Sequence, residues 1–570
     1  MNEFGEENGS RGGRSMVKLI GLSTILPILS VLLTMFVLIS DFLPLGVPNE
    51  WVWLRQPLPE DLASFLDRGL PAFLSATLLI FFALTVDRRI SRFRLRGVSC
   101  CLFILTTLTV FWQSSVLQTA ASPHRELRPL WVLYDKYATG YYLQALTEPR
   151  ETWLVLQEYE REMSEGDVLH KGTHPPGLFL FNRAALWFTS TYPGPGGLLL
   201  NFVSVETVSA FRRLEAEATL AAPLKPDQFA ALILTSLVSV LFCSTLPAVV
   251  YGLISQFTSN QDAWRVGVLA AAIPAISVFQ PRSDVLYAQS GTVFLLLLMM
   301  SLKSRSMLRR LILGVLAGVW SFACLLVSLA HLPVIMASVL LIVLRIFMTW
   351  KRQKSARATD MKSATGDVEV NILTNHILPC VTVIFTFLLS LCLFNLWTGC
   401  FMLTVWRWNL LNHAAFYSQF PRTWWKWLPV NVIEMLFSAG LPVSIAAIYG
   451  MIRKYNATRN MVLAESSRRI PRGRSEQSFS GTHRSDESAL SLLGIVLASI
   501  WILLLFSGKN MGEAARLWCF ITPWWLILLA GTGILSVKSA GSRSGWVVLL
   551  VCQFLACAMT TGRVSGYLQM

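Results

Sequence analysis

Apolar and polar positions alternate along this chain in long blocks. Apolar blocks fall at 17–40, 70–86, 98–118, 229–255, 266–279, 285–302, 311–329, 333–348, 377–396, 430–449, 489–506, 519–535 and 546–559. Most approach the ~20 residues that cross a ~30 Å hydrocarbon core, and a helix satisfies its own backbone hydrogen bonds there. The pattern predicts an all-α polytopic membrane protein of about 13 transmembrane helices, with helices also in its first long polar loop. Two further pieces are ambiguous. Residues 177–192 are apolar but short, and 198–223, with Glu206, Arg212, Arg213 and Glu215, read as an amphipathic surface helix. Either both cross or neither does.

Charge orients the blocks. Arginine and lysine gather before the first block and at 87–97, 303–310, 351–362 and 452–488, and such runs mark cytoplasmic loops. The expected organisation is a cytoplasmic tail 1–16, transmembrane helices 17–120, an extracytoplasmic loop 121–176, a transmembrane core 177–450, a basic disordered cytoplasmic loop 451–488 and final transmembrane helices 489–570. The crowded Trp and Phe of 404–429 suit the headgroup level. No small-residue cleavage site follows the first block, which reads as a retained anchor.

Composition narrows the class. With 54% hydrophobic and 14% charged residues, the chain is too apolar for a soluble globular protein. The net charge of +15 does not point to nucleic acid, because the bases sit in short runs between apolar blocks. Most of the ten cysteines lie inside those blocks, with no disulfide framework or zinc spacing.

Three polar segments that could carry chemistry fall on the same predicted outer face. The loop 121–176 holds Asp135 among Tyr134, Tyr137, Tyr141 and Tyr142, where desolvation by the rings would make it a better base. A solvated loop acid is the competing reading. The same loop ends in His174-Pro175-Pro176-Gly177, two fixed φ angles and a turn into the next helix. His174 is either a junction histidine or a donor to a phosphate or sugar oxygen. Tyr141, Tyr142 and Lys171 are candidate substrate contacts nearby. The second segment carries Arg282 and Asp284, and the third Lys509, Glu513 and Arg516. Cations here serve either as interfacial anchors or as phosphate binders, arginine offering a planar fork of donors. Metal ligation by His170, His174 and Asp135 matches no known zinc spacing; no cofactor is fixed, and a divalent ion is left open.

Three motifs, DKYATGYYLQAL followed by HPPG, IPAISVFQPRSDVLYAQSG, and GEAARLWCFITPWW, together resemble the GT-C class of integral membrane glycosyltransferases. The likeness is to relatives of protein O-mannosyltransferases and lipid A aminoarabinose transferases, and it spreads over about residues 98 to 535. It implies a polyprenyl-phosphate sugar donor, a lipid, glycan or protein acceptor, and inversion at the anomeric carbon. It further implies a bacterial inner or cell membrane with the site outside the cytoplasm. Asp135 would be the base, His174 and Arg516 would contact donor phosphate or acceptor, and Asp284 would be a second pocket acid. The family's usual Asp-Glu pair reads Asp135-Lys136 here, which removes one candidate metal ligand. The competing classes are a transporter or lipid flippase, which would carry charges within its spans, and a non-catalytic scaffold. Among the apolar runs only Arg183 and Glu434 stand out as such charges, and no internal repeat is found.

Overall fold

The computed structural model describes residues 7–165, 171–217, 222–358, 377–467, 481–537 and 542–569. They form an all-α polytopic membrane protein. Among them, 11 helices are long and apolar enough to cross a bilayer, or 12 if one sharply bent pair counts as a span. Each of the 11 coincides with one of the apolar blocks. The block at 430–449 is instead broken, helices Trp424–Ala439 and Leu441–Asn460 meeting at 106°. The block at 519–535 gives only the short helix Cys519–Thr532.

Contacts at the two ends of the bundle fix how the chain threads it. At one end, strand Trp51–Arg55 pairs antiparallel with Gly46–Val47 and with Val564–Gln569. There Glu50 accepts hydrogen bonds from the Thr423 N–H (2.8 Å) and the Trp427 indole (2.8 Å). At the other end, Arg265 donates to both oxygens of Asp87 (2.8 and 3.1 Å) and to the Leu535 carbonyl (3.0 Å). Lys454 reaches Ser491 and the Gly531 carbonyl there (2.6 and 2.7 Å). Keeping these partners together requires the bent pair and Cys519–Thr532 each to carry the chain from the first end to the second. All 13 blocks therefore traverse the bundle, two of them by irregular routes. The helices Gly177–Thr191 and Pro193–Leu200 do not: Arg183 bonds back to the loop carbonyl of Glu148 (2.9 Å). The surface helix expected near 205 spans Val205–Glu217, with Arg212 bonded to Glu215. The expected disordered loop at 451–488 is helical at both ends, since the preceding helix runs on to Ser467 and the next begins at Gly481; residues 468–480 lie outside those described.

The breaks have physical causes. Gly440 takes φ +96°, and a side chain there would run into Gln553; Pro442 then follows. Backbone carbonyls freed inside an apolar bundle need partners, and two buried glutamines supply them. Gln553 donates to the carbonyls of Ala439 and Ala272 (both 2.9 Å), and Gln113 to that of Ala271 (3.0 Å), just ahead of the helix that restarts at Pro274.

Candidate active site

The loop between the third and fourth long spans folds into helices His124–Tyr134, Tyr141–Thr147 and Thr152–Ser164. The first ends at Asp135, whose carbonyl accepts the N–H groups of Ala138, Thr139 and Gly140 (3.2, 3.1 and 3.2 Å). Thr139 Oγ1 ties this turn to the Val132 carbonyl (2.9 Å), and Gly140, at φ +71°, turns the chain into the next helix. Asp135 is thus fixed at a corner, half-buried.

The expected cage of tyrosines around it does not form. Tyr134 ends one helix, Tyr137 lies in the turn and Tyr141 and Tyr142 open the next helix beyond Gly140, so the rings diverge. Tyr134 packs on Trp131 and Phe211, Tyr142 donates to the Gln228 carbonyl (2.6 Å), and Tyr137 is 70% exposed. Tyr141 alone turns inward, buried, its ring edge-on to His174 at 5.3 Å. Burial, with Tyr287, Asp284 and Tyr159 nearby, holds its phenol well above the ordinary range. Tyr142 thus has its hydroxyl tied to the backbone, while its ring lines a small pocket with Tyr141, Pro281 and Ser283.

His174 is set from several sides. Tyr159 donates to its carbonyl (3.0 Å), and Thr173 Oγ1 lies 3.2 Å from its Nδ1. Asn412 of helix Met402–Gln419 bonds to the carbonyls of Gly172 and Met163 (both 2.8 Å), and Asn409 to that of Thr173. At Gly177 a Cβ would lie 2.5 Å from the Leu326 carbonyl oxygen, so only glycine lets the Pro-Pro corner dock on helix Met307–Val327. The side chain of Lys171 lies outside the described residues.

Opposite this loop stand the other two segments. Arg282 is 1% exposed, and its Nε and Nη1 have no hydrogen-bond partner; both polar side-chain atoms of its neighbour Gln280 are likewise unsatisfied. Asp284, 7% exposed, faces Arg516, with Oδ2 3.6 Å from Nε. Arg516 also bonds to Glu513 at 2.8 Å. Burial, then the Arg516 charge, push the Arg282 guanidinium down to about 9, against the pull of Asp284, Glu513 and Asp135. For Arg516 burial acts the same way, but Glu513 and Asp284 outweigh it and its pKa rises.

The structure therefore brings Asp135, Tyr141, His174, Arg282, Asp284, Glu513 and Arg516 to one end of the bundle. Lys509 stands apart: it is exposed, and its charge acts on His413. The division of labour among the cations also differs from the sequence reading. Arg516 is paired with two carboxylates, whereas Arg282 forms no salt bridge among the described residues and keeps Nε and Nη1 without a hydrogen-bond partner. The sequence reading overlooked Tyr287 and His331, whose rings meet at 5.1 Å, and the two asparagines under the His174 turn. Tyr287 could have been found, since it follows Asp284 by three residues and shares its helix face.

Among the described residues, no three His, Cys, Asp or Glu side chains are grouped to hold a metal ion; His170 lies outside them. Beside the cluster, an apolar cavity of about 150 Å³ runs between Trp53, Phe279 and Ala515. Glu434 lies on its wall, one oxygen accepting the Ala515 N–H (3.0 Å) and the other unsatisfied. No family model, curated protein or solved structure matches this chain.

Proposed function

We propose that the chain is a membrane transferase acting on a lipid-linked phosphate donor. More particularly, it is a glycosyltransferase that moves a sugar from a polyprenyl phosphate to a hydroxyl of a lipid, glycan or protein. The reaction takes place on the extracytoplasmic face, the end away from the basic loops. The observation that carries this reading is the buried Arg282 guanidinium with unused donors, next to an apolar cavity and across from a fixed carboxylate. An anionic phosphate answers the first, and a cavity of about 150 Å³, enough for a six-carbon ring, answers the second by taking one isoprene unit.

In this mechanism the acceptor hydroxyl loses its proton to Asp135 as its oxygen attacks the anomeric carbon. The bond from that carbon to the phosphate oxygen breaks on the far side, which inverts the centre. The electron pair leaves on phosphate, whose charge Arg282 holds, so no general acid is needed. Arg516 keeps Asp284 and Glu513 in place, and Tyr141 and His174 line the acceptor side.

Loss of the base should cost about 10²- to 10⁴-fold. Asp135→Asn is tested with a labelled polyprenyl-phosphate sugar and purified protein; transfer should drop by that factor with expression and melting temperature intact. Unchanged transfer removes Asp135 from the mechanism. One observation favours a transporter instead, the broken helix pair carrying Glu434. That reading expects Glu434→Gln to abolish movement of a substrate across vesicle membranes while no sugar transfer is detectable in any variant.

A further inference from the structure

The opposite end of the bundle carries a cleft of its own. The end of helix Leu62–Asp87, the start of Asn260–Leu269 and the start of Ser542–Arg563 enclose a cleft of about 840 Å³. Its floor is the Asp87–Arg265 pair, 1% and 2% exposed, in which every Arg265 nitrogen has a partner. The floor is neutral and complete without a ligand. Its rim is different: Arg88 and Arg543 are exposed, and neither is ion-paired with a described residue. Gln261 and Ser544 add hydrogen-bonding groups between them.

From this polar rim the cleft continues onto Val547 and Val548, both partly exposed. They lie four to five residues beyond Arg543, so about 7 Å further toward the apolar middle of the bundle at 1.5 Å per residue. Two guanidiniums with no ion pair among the described residues call for an oxyanion, which arginine binds with a planar fork. The apolar wall next to them calls for a hydrocarbon attached to that oxyanion. An inorganic ion would use the first and leave the second idle.

We propose that this cleft binds the phosphodiester headgroup of an anionic phospholipid, its ester and upper acyl segments lying on Val547 and Val548. The arginines at 92 and 94 lie outside the cleft on the same connecting segment, with Arg96 in the first turn of the helix that follows, and they raise the local concentration of acidic lipid without forming the site.

Each cation near an acidic membrane surface is worth about fivefold in binding, so Arg88 and Arg543 together give about thirtyfold. The test uses the full chain in neutral detergent, titrated with phosphatidylglycerol, phosphatidylcholine or inorganic phosphate, and read by native mass spectrometry and melting temperature. Phosphatidylglycerol should bind and raise the melting temperature, with phosphatidylcholine and phosphate inert. The double variant Arg88→Gln, Arg543→Gln should bind it about thirtyfold more weakly. The control Arg92→Gln, Arg94→Gln, with the same change in charge, should bind as the parent does. Equal weakening in the control would reduce the effect to general surface charge and overturn the site. Equal stabilisation by inorganic phosphate would assign the cleft to a free anion and overturn the lipid.

Discussion

Arg282 is placed where a charge is expensive, and replacing it by a side chain of similar length without charge separates stability from function. In Arg282→Met the buried guanidinium and its two unsatisfied donors disappear. Holding that group charged where its pKa has fallen from 12.5 to about 9 costs on the order of 5 kcal/mol. That figure is already net of its attraction to Asp284, Glu513 and Asp135, and a methionine fills the space less well, so the gain should be ~1–4 kcal/mol, as when other buried charges are replaced by apolar groups. Thermal unfolding in detergent should shift upward by several degrees. Sugar transfer should fall by about 10²- to 10³-fold, the usual effect of removing one preorganised donor from a developing anion. A non-hydrolysable polyprenyl phosphonate at a hundred times its Kd should stabilise the parent by ~2.7 kcal/mol and the variant hardly at all. A variant less stable than the parent, or one still stabilised by the phosphonate, would refute the assignment of Arg282 as the phosphate-binding cation.

Two further outcomes follow from packing and ionisation elsewhere. Burial works against ionisation of Glu50, but bonds from Thr423, Trp427 and Lys426 outweigh it and hold the carboxyl at about 2 instead of 4.5. Its contribution to stability is complete above about pH 4.5 and is lost as the pH falls toward about 2. Melting temperatures in a pH series should therefore drop more steeply over that window in the parent than in Glu50→Gln; parallel curves would contradict it. Gly177→Ala places a methyl group 2.5 Å from the Leu326 carbonyl oxygen, a fixed backbone atom. The expected loss is ~1–3 kcal/mol of stability, with transfer reduced through displacement of His174, and Pro176→Ala serves as the milder comparison.

The periodicity of the apolar blocks carried the architecture, because membrane thickness sets helix length directly. It missed the break at Gly440, since an apolar composition reads the same on both sides of a kink and only the glycine-proline pair marks it. Spacing within a segment was legible at Arg282 and Asp284, and at Glu513 and Arg516, where residues one to three apart stay neighbours. Which partners they choose across segments was not: among the described residues Arg516 comes within salt-bridge distance of Asp284 and Glu513 and Arg282 of neither, a matter of tertiary distance. The tyrosines around Asp135 failed for a related reason, since proximity along a chain does not survive a left-handed turn at Gly140. Asn409 and Asn412 had no signal at all, for amides beneath a turn look like any polar residue in an aromatic-rich helix.

The small sheet at the loop end joins residues 51–55 to 564–569. A ribosome makes the later segment about 500 residues after the earlier one, so the earlier strand has to wait, one edge open, while the helices in between are made. Closure of that edge follows the making of the helices between the two strands, and the neighbouring pocket, walled by Trp53 on one strand and Val564 on the other, is completed with it.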